Sequence, residues 1–175
     1  MKNSKNNIGF KLSVIFILAV TATAALAPLL APNDPNAADM LLANAAPSPG
    51  YPLGNDQLGR CLLSRVLYGA RISVFSSILI TVIVFAIGTF IGVLSAYCGG
   101  WTDAVISKII TAVQAFPKVV LAIAIAGLLG IGIKNTIIAL CAVGWVEFAR
   151  MARSLTLTEK SMNYIKAARI CGESH

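Results

Sequence analysis

The chain is short, apolar and basic. It has 175 residues, of which 57% are hydrophobic and only 12% are charged, and its formal net charge is +7. A typical soluble domain is about 45–50% apolar and about 25% charged, and a domain of this size cannot bury so much apolar surface. The basic residues and the four cysteines are dispersed along the chain, which disfavours a nucleic-acid-binding protein and a zinc protein. The composition indicates a membrane protein.

Runs without charged residues predict where the chain crosses the membrane. A span needs about 20 apolar residues to cross a hydrocarbon core of about 30 Å. After a polar segment at 1–11, two runs without a charged residue predict spans over residues 12–31 and 72–97. Two further runs are apolar except for one charged residue each, Lys118 and Glu147, and they predict spans over residues 109–133 and 135–149. A turn from Gly130 to Asn135 joins the last two. The alternative for the first run is a signal peptide cleaved after Ala25-Leu26-Ala27.

The distribution of basic residues predicts the orientation of the spans. Cytoplasmic loops of membrane proteins carry an excess of Lys and Arg. With the amino terminus inside, nine basic residues lie on inner segments, namely Lys2, Lys5, Lys11, Lys108, Arg150, Arg153, Lys160, Lys166 and Arg169. Four then lie on outer segments, namely Arg60, Arg65, Arg71 and Lys134. We therefore expect both termini of the chain to be cytoplasmic.

Two sequence patterns, one before the second span and one within it, predict what surrounds this span. The loop over 32–71 is expected outside the cytoplasm, and the spacing of Leu62, Leu63, Val66 and Leu67 predicts an amphipathic helix at the outer interface. Within the span, Gly88, Gly92 and Ala96 recur every four residues. Such small residues let helix backbones approach closely, so this row predicts a helix–helix contact.

Charged residues inside the later spans are candidates for function. An ionisable group at the bilayer centre costs about 2.5–3.5 kcal/mol on insertion scales. Lys118 is therefore expected either to line a pore or to extend its ammonium to the interface. Pro117 is expected to kink the third span. Glu147 is expected to pair with Arg150, three residues further along the same helix.

The polar tail over 154–175 predicts a compact helical element on the inner face. Thr156 and Glu159 fit a capping box, which predicts a helix starting there. Gly172 is placed where a glycine ends a helix. The alternative is an amphipathic helix that lies on anionic lipid.

Several segments of the chain resemble permeases of the dipeptide, oligopeptide and nickel type of ABC importer. These segments are Tyr51 to Ser73, Tyr97-Cys-Gly-Gly-Trp-Thr-Asp103, Ala115-Phe-Pro117, Gly144-Trp-Val-Glu-Phe-Ala-Arg150 and Tyr164-Ile-Lys-Ala-Ala-Arg-Ile-Cys-Gly172. The last of them resembles the first half of the EAA loop, through which such permeases contact their ATPase. The motifs occur in the family's order and cover most of the chain from about residue 10 onward.

The resemblance implies an all-α polytopic membrane bundle with about four of an expected six spans. It implies a permease subunit that moves small peptides, or nickel complexes, across the inner membrane of a bacterial or archaeal cell. Such a subunit is not an enzyme and carries no cofactor, in keeping with the lack of a P-loop pattern in the sequence. The implied partners are a second permease subunit, two cytoplasmic ATPase subunits and an extracytoplasmic binding protein, with no nucleic acid.

The resemblance also assigns roles to individual residues. Lys166, Ala167, Ala168 and Gly172 lie at the EAA-loop positions that contact the ATPase, in a coupling segment spanning 154–175. Lys118 and Pro117 are the candidates for the translocation path.

The chain departs from the family pattern in three places. Lys166 replaces the usual Glu, and Cys61 replaces the usual Asp. The sequence ends at His175, within the coupling loop, which predicts a truncated subunit. The alternative function is therefore a remnant that does not transport, or a membrane protein that serves only in interactions. An intramembrane enzyme is disfavoured because the predicted spans contain no histidine and no metal-ligand spacing.

Overall fold

The computed structural model describes the backbone of residues 6–172 and their side chains except those of residues 6, 7, 168 and 169. Within this range the chain is helical and has no β-strand. The helices are α1 (Asn6–Ala25), α2 (Ala27–Leu30), α3 (Leu62–Cys98), α4 (Gly100–Gln114), α5 (Lys118–Leu129), α6 (Ile133–Ser161) and α7 (Asn163–Ile170), and a 3-10 turn covers Met40–Leu42. The predicted all-α class is confirmed.

Three of the described helices are long and apolar enough to cross a membrane. They are α1, from Ile8 onward, α3 and α6. The pair α4 and α5 passes the same test as one bent unit, which makes four candidate spans. Large apolar side chains of α1 are exposed along most of its length, as expected for a helix that faces lipid or other helices.

The chain divides into two compact units, Met1–Ser77 and Ile78–His175. In the first unit, the loop after α2 is fixed by hydrogen bonds. The Asn33 amide N–H donates to the Ser64 hydroxyl at 3.2 Å, and the Asn33 side chain donates to the Gly50 carbonyl at 2.8 Å. Cys61 is buried at the position before the first residue of α3. Such a residue caps the helix, a role for which an Asp is better suited than a Cys.

Asp56 organises the second half of this loop. Its carboxylate accepts hydrogen bonds from the backbone of Leu58 and from the backbone and side chain of Arg60, and Arg65 lies within 3.2 Å of it. Partial desolvation raises the pKa of Asp56, but the hydrogen bonds from Arg60 and Leu58 outweigh it and lower the pKa to about 2. The carboxylate is therefore ionised at neutral pH and holds both arginines at the start of α3.

The helix predicted between residues 62 and 71 is not a separate element. These residues form the first turns of α3, which continues without a break from Leu62 to Cys98 over 37 residues. No glycine turn or proline lies between residues 62 and 72 to end the helix, so the apolar run simply extends it. The predicted end of this span near Tyr97 is confirmed, because Gly99 and Gly100 both adopt positive φ angles.

In the second unit, α3 and α6 approach each other closely through glycines. A Cβ atom on Gly88 would lie 2.3 Å from the Trp145 carbonyl oxygen, and one on Gly92 would lie 2.2 Å from that of Ala149. Only glycine fits at either position, which confirms the predicted small-residue contact. The later glycine on α3 contacts the later residue on α6, so α6 runs parallel to this part of α3.

The third predicted span is broken. The prediction of one run over 109–133 is wrong, because α4 starts earlier, at Gly100, and meets α5 at an angle of 86°. Pro117 lies at the break and has no N–H to continue the hydrogen bonds of α4. The predicted kink at Pro117 is thus confirmed, and its angle is large enough to divide the predicted span into two helices. Asn135 closes the predicted turn to α6 by donating to the Leu129 carbonyl at 2.7 Å.

The helix predicted to start at Thr156 is also part of a longer one. α6 continues to Ser161, and the Thr156 hydroxyl donates to the Ala152 carbonyl within that helix instead of capping a new one. The helix of the tail, α7, begins at Asn163. Gly172 follows its end with φ at +94°, as predicted for a glycine that ends a helix.

Candidate functional site

An open cavity of about 480 Å³ lies at the break between α4 and α5, beside α6. Apolar side chains form most of its wall, and its polar groups come from Gln114, Lys118, Glu147 and Arg150. Pro117 also lines it. The two residues predicted for a translocation path, Lys118 and Pro117, are therefore brought together in the wall of one cavity.

The charges of this cavity form a pair between two helices. Lys118 Nζ donates to Glu147 Oε2 at 2.9 Å, and the two residues are 29 positions apart in sequence. The expected pairing of Glu147 with Arg150 is therefore wrong: the break at Pro117 brings the first residue of α5 within reach of α6. Sequence spacing favours partners on the same helix, and it could not show this contact.

A second group of polar residues joins α3, α4 and α6 near the carboxyl end of α3. We call Ser95, Asp103, Arg153 and Lys160 the α3–α6 polar cluster. Arg153 Nε and Nη2 donate to the two Asp103 carboxylate oxygens, each at 2.6 Å, and the Ser95 hydroxyl donates to Asp103 Oδ1 at 2.6 Å. This bidentate pairing fixes the start of α4 against α6.

Lys160 extends the cluster to the end of α3. Its ammonium donates to the carbonyls of Ala96 and Tyr97 at 2.9 and 3.0 Å and lies 5.9 Å from the centre of the Tyr97 ring. The last carbonyls of a helix have no partner within it and carry partial negative charge, so a lysine is stabilising there. The carboxyl ends of α3 and α6 are thereby held together.

The α3–α6 polar cluster was not predicted from the sequence. Arg153 and Lys160 enter the sequence-based prediction only as basic residues of an inner segment. A usable signal was present, because the two lie seven residues apart and therefore on one face of α6. Asp103, the acidic residue in the first turn of α4, was the obvious opposite charge.

The predicted coupling residues lie on α7 and after it. Lys166 and Ala167 are exposed on α7, Gly172 is exposed beyond its end, and the side chain of Ala168 lies outside the described residues. The Tyr164 hydroxyl donates to the Glu159 carboxylate, which ties α7 to the end of α6 and raises the pKa of Tyr164. Glu147 precedes the end of α6 by 14 residues, or about 21 Å along the axis. The cavity and α7 are therefore separate sites joined by one helix.

Within residues 6–172 no group of three or more His, Cys, Asp or Glu side chains is placed to hold a metal ion. The helices build a broken span beside a cavity whose mostly apolar wall carries four polar or charged side chains.

Comparison with known proteins identifies the family. Residues 88–175 match the family of binding-protein-dependent transport system inner membrane components. The chain belongs to this family, as the resemblance predicted, and it is a multi-pass inner-membrane protein that is itself not an enzyme.

Individual relatives match over nearly all of the chain. It is 36% identical over 174 residues to the dipeptide transport system permease protein of Haemophilus influenzae, covering 96% of this chain and 59% of the relative. It is 38% identical to a glutathione transport system permease protein of Pectobacterium atrosepticum, covering 90% and 53%. It is 33% identical to a probable D,D-dipeptide permease protein of Escherichia coli, covering 93% and 54%. The chain thus spans about half the length of the curated relatives it matches.

Proposed function

We propose that the chain is part of the permease subunit of an ATP-driven ABC importer that moves small peptides into the cytoplasm. In this proposal it acts with a second permease subunit, two cytoplasmic ATPase subunits and an extracytoplasmic binding protein. Residues 1–11 and 154–175 face the cytoplasm and 32–71 face the other side. The observation that carries the proposal is the family match over residues 88–175, which includes α6 and α7.

The proposed substrate is a peptide rather than nickel. The relatives described above are named for dipeptide, glutathione and D,D-dipeptide transport, and this favours a peptide. The cavity supports the same choice, because it offers one carboxylate, two cations and an amide instead of a cluster of metal ligands. Lys118 and Pro117 are proposed as part of the translocation path.

The proposed energy input reaches the spans through α7. Lys166, Ala167, Ala168 and Gly172 are proposed to contact the ATPase. α7 is short and follows α6 after only Met162, so a force on α7 acts directly on α6. The α3–α6 polar cluster then passes the displacement of α6 to the end of α3 and the start of α4.

Gly172 gives a sharp test of this proposal. Its φ of +94° is accessible to Gly and tolerated by Asn, whereas Pro is locked near −65°. In the assembled transporter we expect Gly172→Pro to reduce ATP-dependent dipeptide uptake and ATPase co-purification at least tenfold. Gly172→Asn should keep most of both, and all variants should insert into the membrane in equal amounts.

Two results would contradict the proposal. Equal uptake and equal ATPase co-purification by the Pro and Asn variants would remove the coupling role of the tail. Uptake of nickel but not of dipeptides by the wild-type transporter would remove the peptide assignment.

A further inference from the structure

The Lys118–Glu147 pair lies where charges are costly. Glu147 is 14 residues from the first residue of α6, about 21 Å along an axis that crosses a core of about 30 Å. An ion pair that is about half exposed contributes at most about 1 kcal/mol to stability. Holding α5 against α6 therefore does not by itself require these two charges, since the two helices also bury apolar residues such as Ala122 and Ala139.

The pair is also accessible from the cavity. The exposed fraction is 49% for the Lys118 side chain and 58% for that of Glu147. Arg150 and Gln114 line the same cavity, so a group that displaces either partner meets further polar atoms there. Lys118 is the first residue of α5, and the positive end of the helix dipole adds to the attraction for an anion at this point.

We propose that this ion pair opens to bind a zwitterionic peptide through its two termini. The peptide carboxylate binds Lys118 at the start of α5, and the peptide ammonium binds Glu147 on α6. The exchange replaces one ion pair by two and leaves no charge unpaired, so the peptide does not carry an uncompensated charge into the membrane. The inference rests on the proposed function. It adds the chemical feature of the peptide that the permease itself recognises, namely its two charged termini.

Capped peptides test the two contacts separately. We would measure binding by calorimetry to the assembled transporter in lipid nanodiscs, without the binding protein. The probes are dialanine, N-acetyl-dialanine, which lacks the ammonium, and dialanine amide, which lacks the carboxylate. The wild-type assembly should bind dialanine about tenfold more tightly than either capped form, which is the effect of one charge-assisted hydrogen bond.

Each variant should lose the preference for dialanine over the capped peptide that lacks the group bound by the replaced residue. Lys118→Gln should weaken dialanine binding about tenfold and leave dialanine amide unchanged, because that probe has no carboxylate to lose a contact. Glu147→Gln should weaken dialanine binding about as much and should not weaken N-acetyl-dialanine binding. Lys134→Gln, at an exposed lysine near the start of α6, is the matched control and should bind all three probes as the wild type does.

The outcomes separate this inference from the function on which it rests. If the wild type imports dialanine but both variants bind it with unchanged affinity, the inference is wrong and the proposed function stands. Equal loss of all three probes in a variant would show a structural role for the pair and would also overturn the inference. Failure of the wild-type transporter to import any dipeptide would overturn both.

Discussion

At the scale of single residues, the Asp103–Arg153 contact joins α4 to α6 through two charge-assisted hydrogen bonds. Both side chains are largely shielded from solvent, and two short hydrogen bonds join them in bidentate geometry. Asp103→Leu would leave the guanidinium without its carboxylate and the Ser95 hydroxyl without its acceptor. We expect a loss of about 2 kcal/mol in stability, as for hydrogen bonds to charged groups.

The thermal stability of the purified protein in detergent measures this loss. Lys108→Gln, at an exposed position on the same helix, is the control and should change stability by less than about 0.5 kcal/mol. A double-mutant cycle of Asp103→Leu with Arg153→Leu should recover part of the loss, because the double variant leaves no charge unpaired. Additive losses would show that the two residues act independently.

Residue-level chemistry was the part of the molecule that the sequence predicted least well. The cost of a charge in a membrane identified Lys118 and Glu147 as residues to explain, but their mutual contact depends on the angle between α4 and α5. No local pattern encodes that angle. Asp103 and Arg153 are 50 positions apart, and the packing of the start of α4 against α6 brings them together.

At the scale of helices, the contact of α3 with α6 depends on glycine. Gly92→Leu would place a side chain where the Ala149 carbonyl already lies, since even a Cβ atom would be 2.2 Å from that oxygen. The helices would have to separate and would lose the packing of Phe85 on Phe148, whose ring centres are 5.6 Å apart. Overpacking of this kind costs about 1–3 kcal/mol.

Gly127 provides the matched control, because a Cβ atom there would meet no atom within 4 Å. Gly127→Leu on α5 should therefore leave the melting temperature of the purified protein unchanged or slightly raised, while Gly92→Leu lowers it by several degrees. Equal behaviour of the two variants would mean that the α3–α6 contact does not contribute to stability.

Helix existence was predictable and helix boundaries were not. Apolar runs located all the long helices, because a membrane requires such runs. The runs did not show that α3 begins at Leu62 or that α6 continues to Ser161, because both extensions carry charged residues and are predicted as separate helices outside the spans. In both cases the chain stays helical because no proline or glycine turn ends it, so the terminating residue predicts the boundary better than the last apolar residue does.

At the scale of the whole molecule, the parallel packing of α3 and α6 bears on the number of membrane crossings. Two spans that run in the same direction require the chain between them to return across the membrane. The segment between Cys98 and Ile133 consists of α4 and α5, which together contain 27 residues (15 and 12), or about 40 Å of helix. The bent pair must therefore act as a span despite its angle of 86°.

The number of crossings predicts on which side of the membrane Leu41, Cys98 and Cys171 lie. α3, the bent pair and α6 make three crossings between the loop at Leu41 and the end of α7, so Leu41 and Cys171 must lie on opposite sides. Cys98 and Cys171 must lie on the same side.

Cysteine labelling with an impermeant maleimide tests these positions in right-side-out vesicles. If the amino terminus is cytoplasmic, the reagent should label Leu41→Cys in intact vesicles, in a chain whose exposed Cys98 and Cys171 are replaced by Ser. The Leu41 side chain is 94% exposed, so a cysteine there is accessible. In the native chain the reagent should label Cys98 and Cys171 only after permeabilisation. Labelling of Cys98 and Cys171 from opposite sides would mean that the bent pair enters and leaves the membrane on the same face. Labelling of both in intact vesicles would mean that the orientation of the chain is reversed, although the bent pair still crosses the membrane.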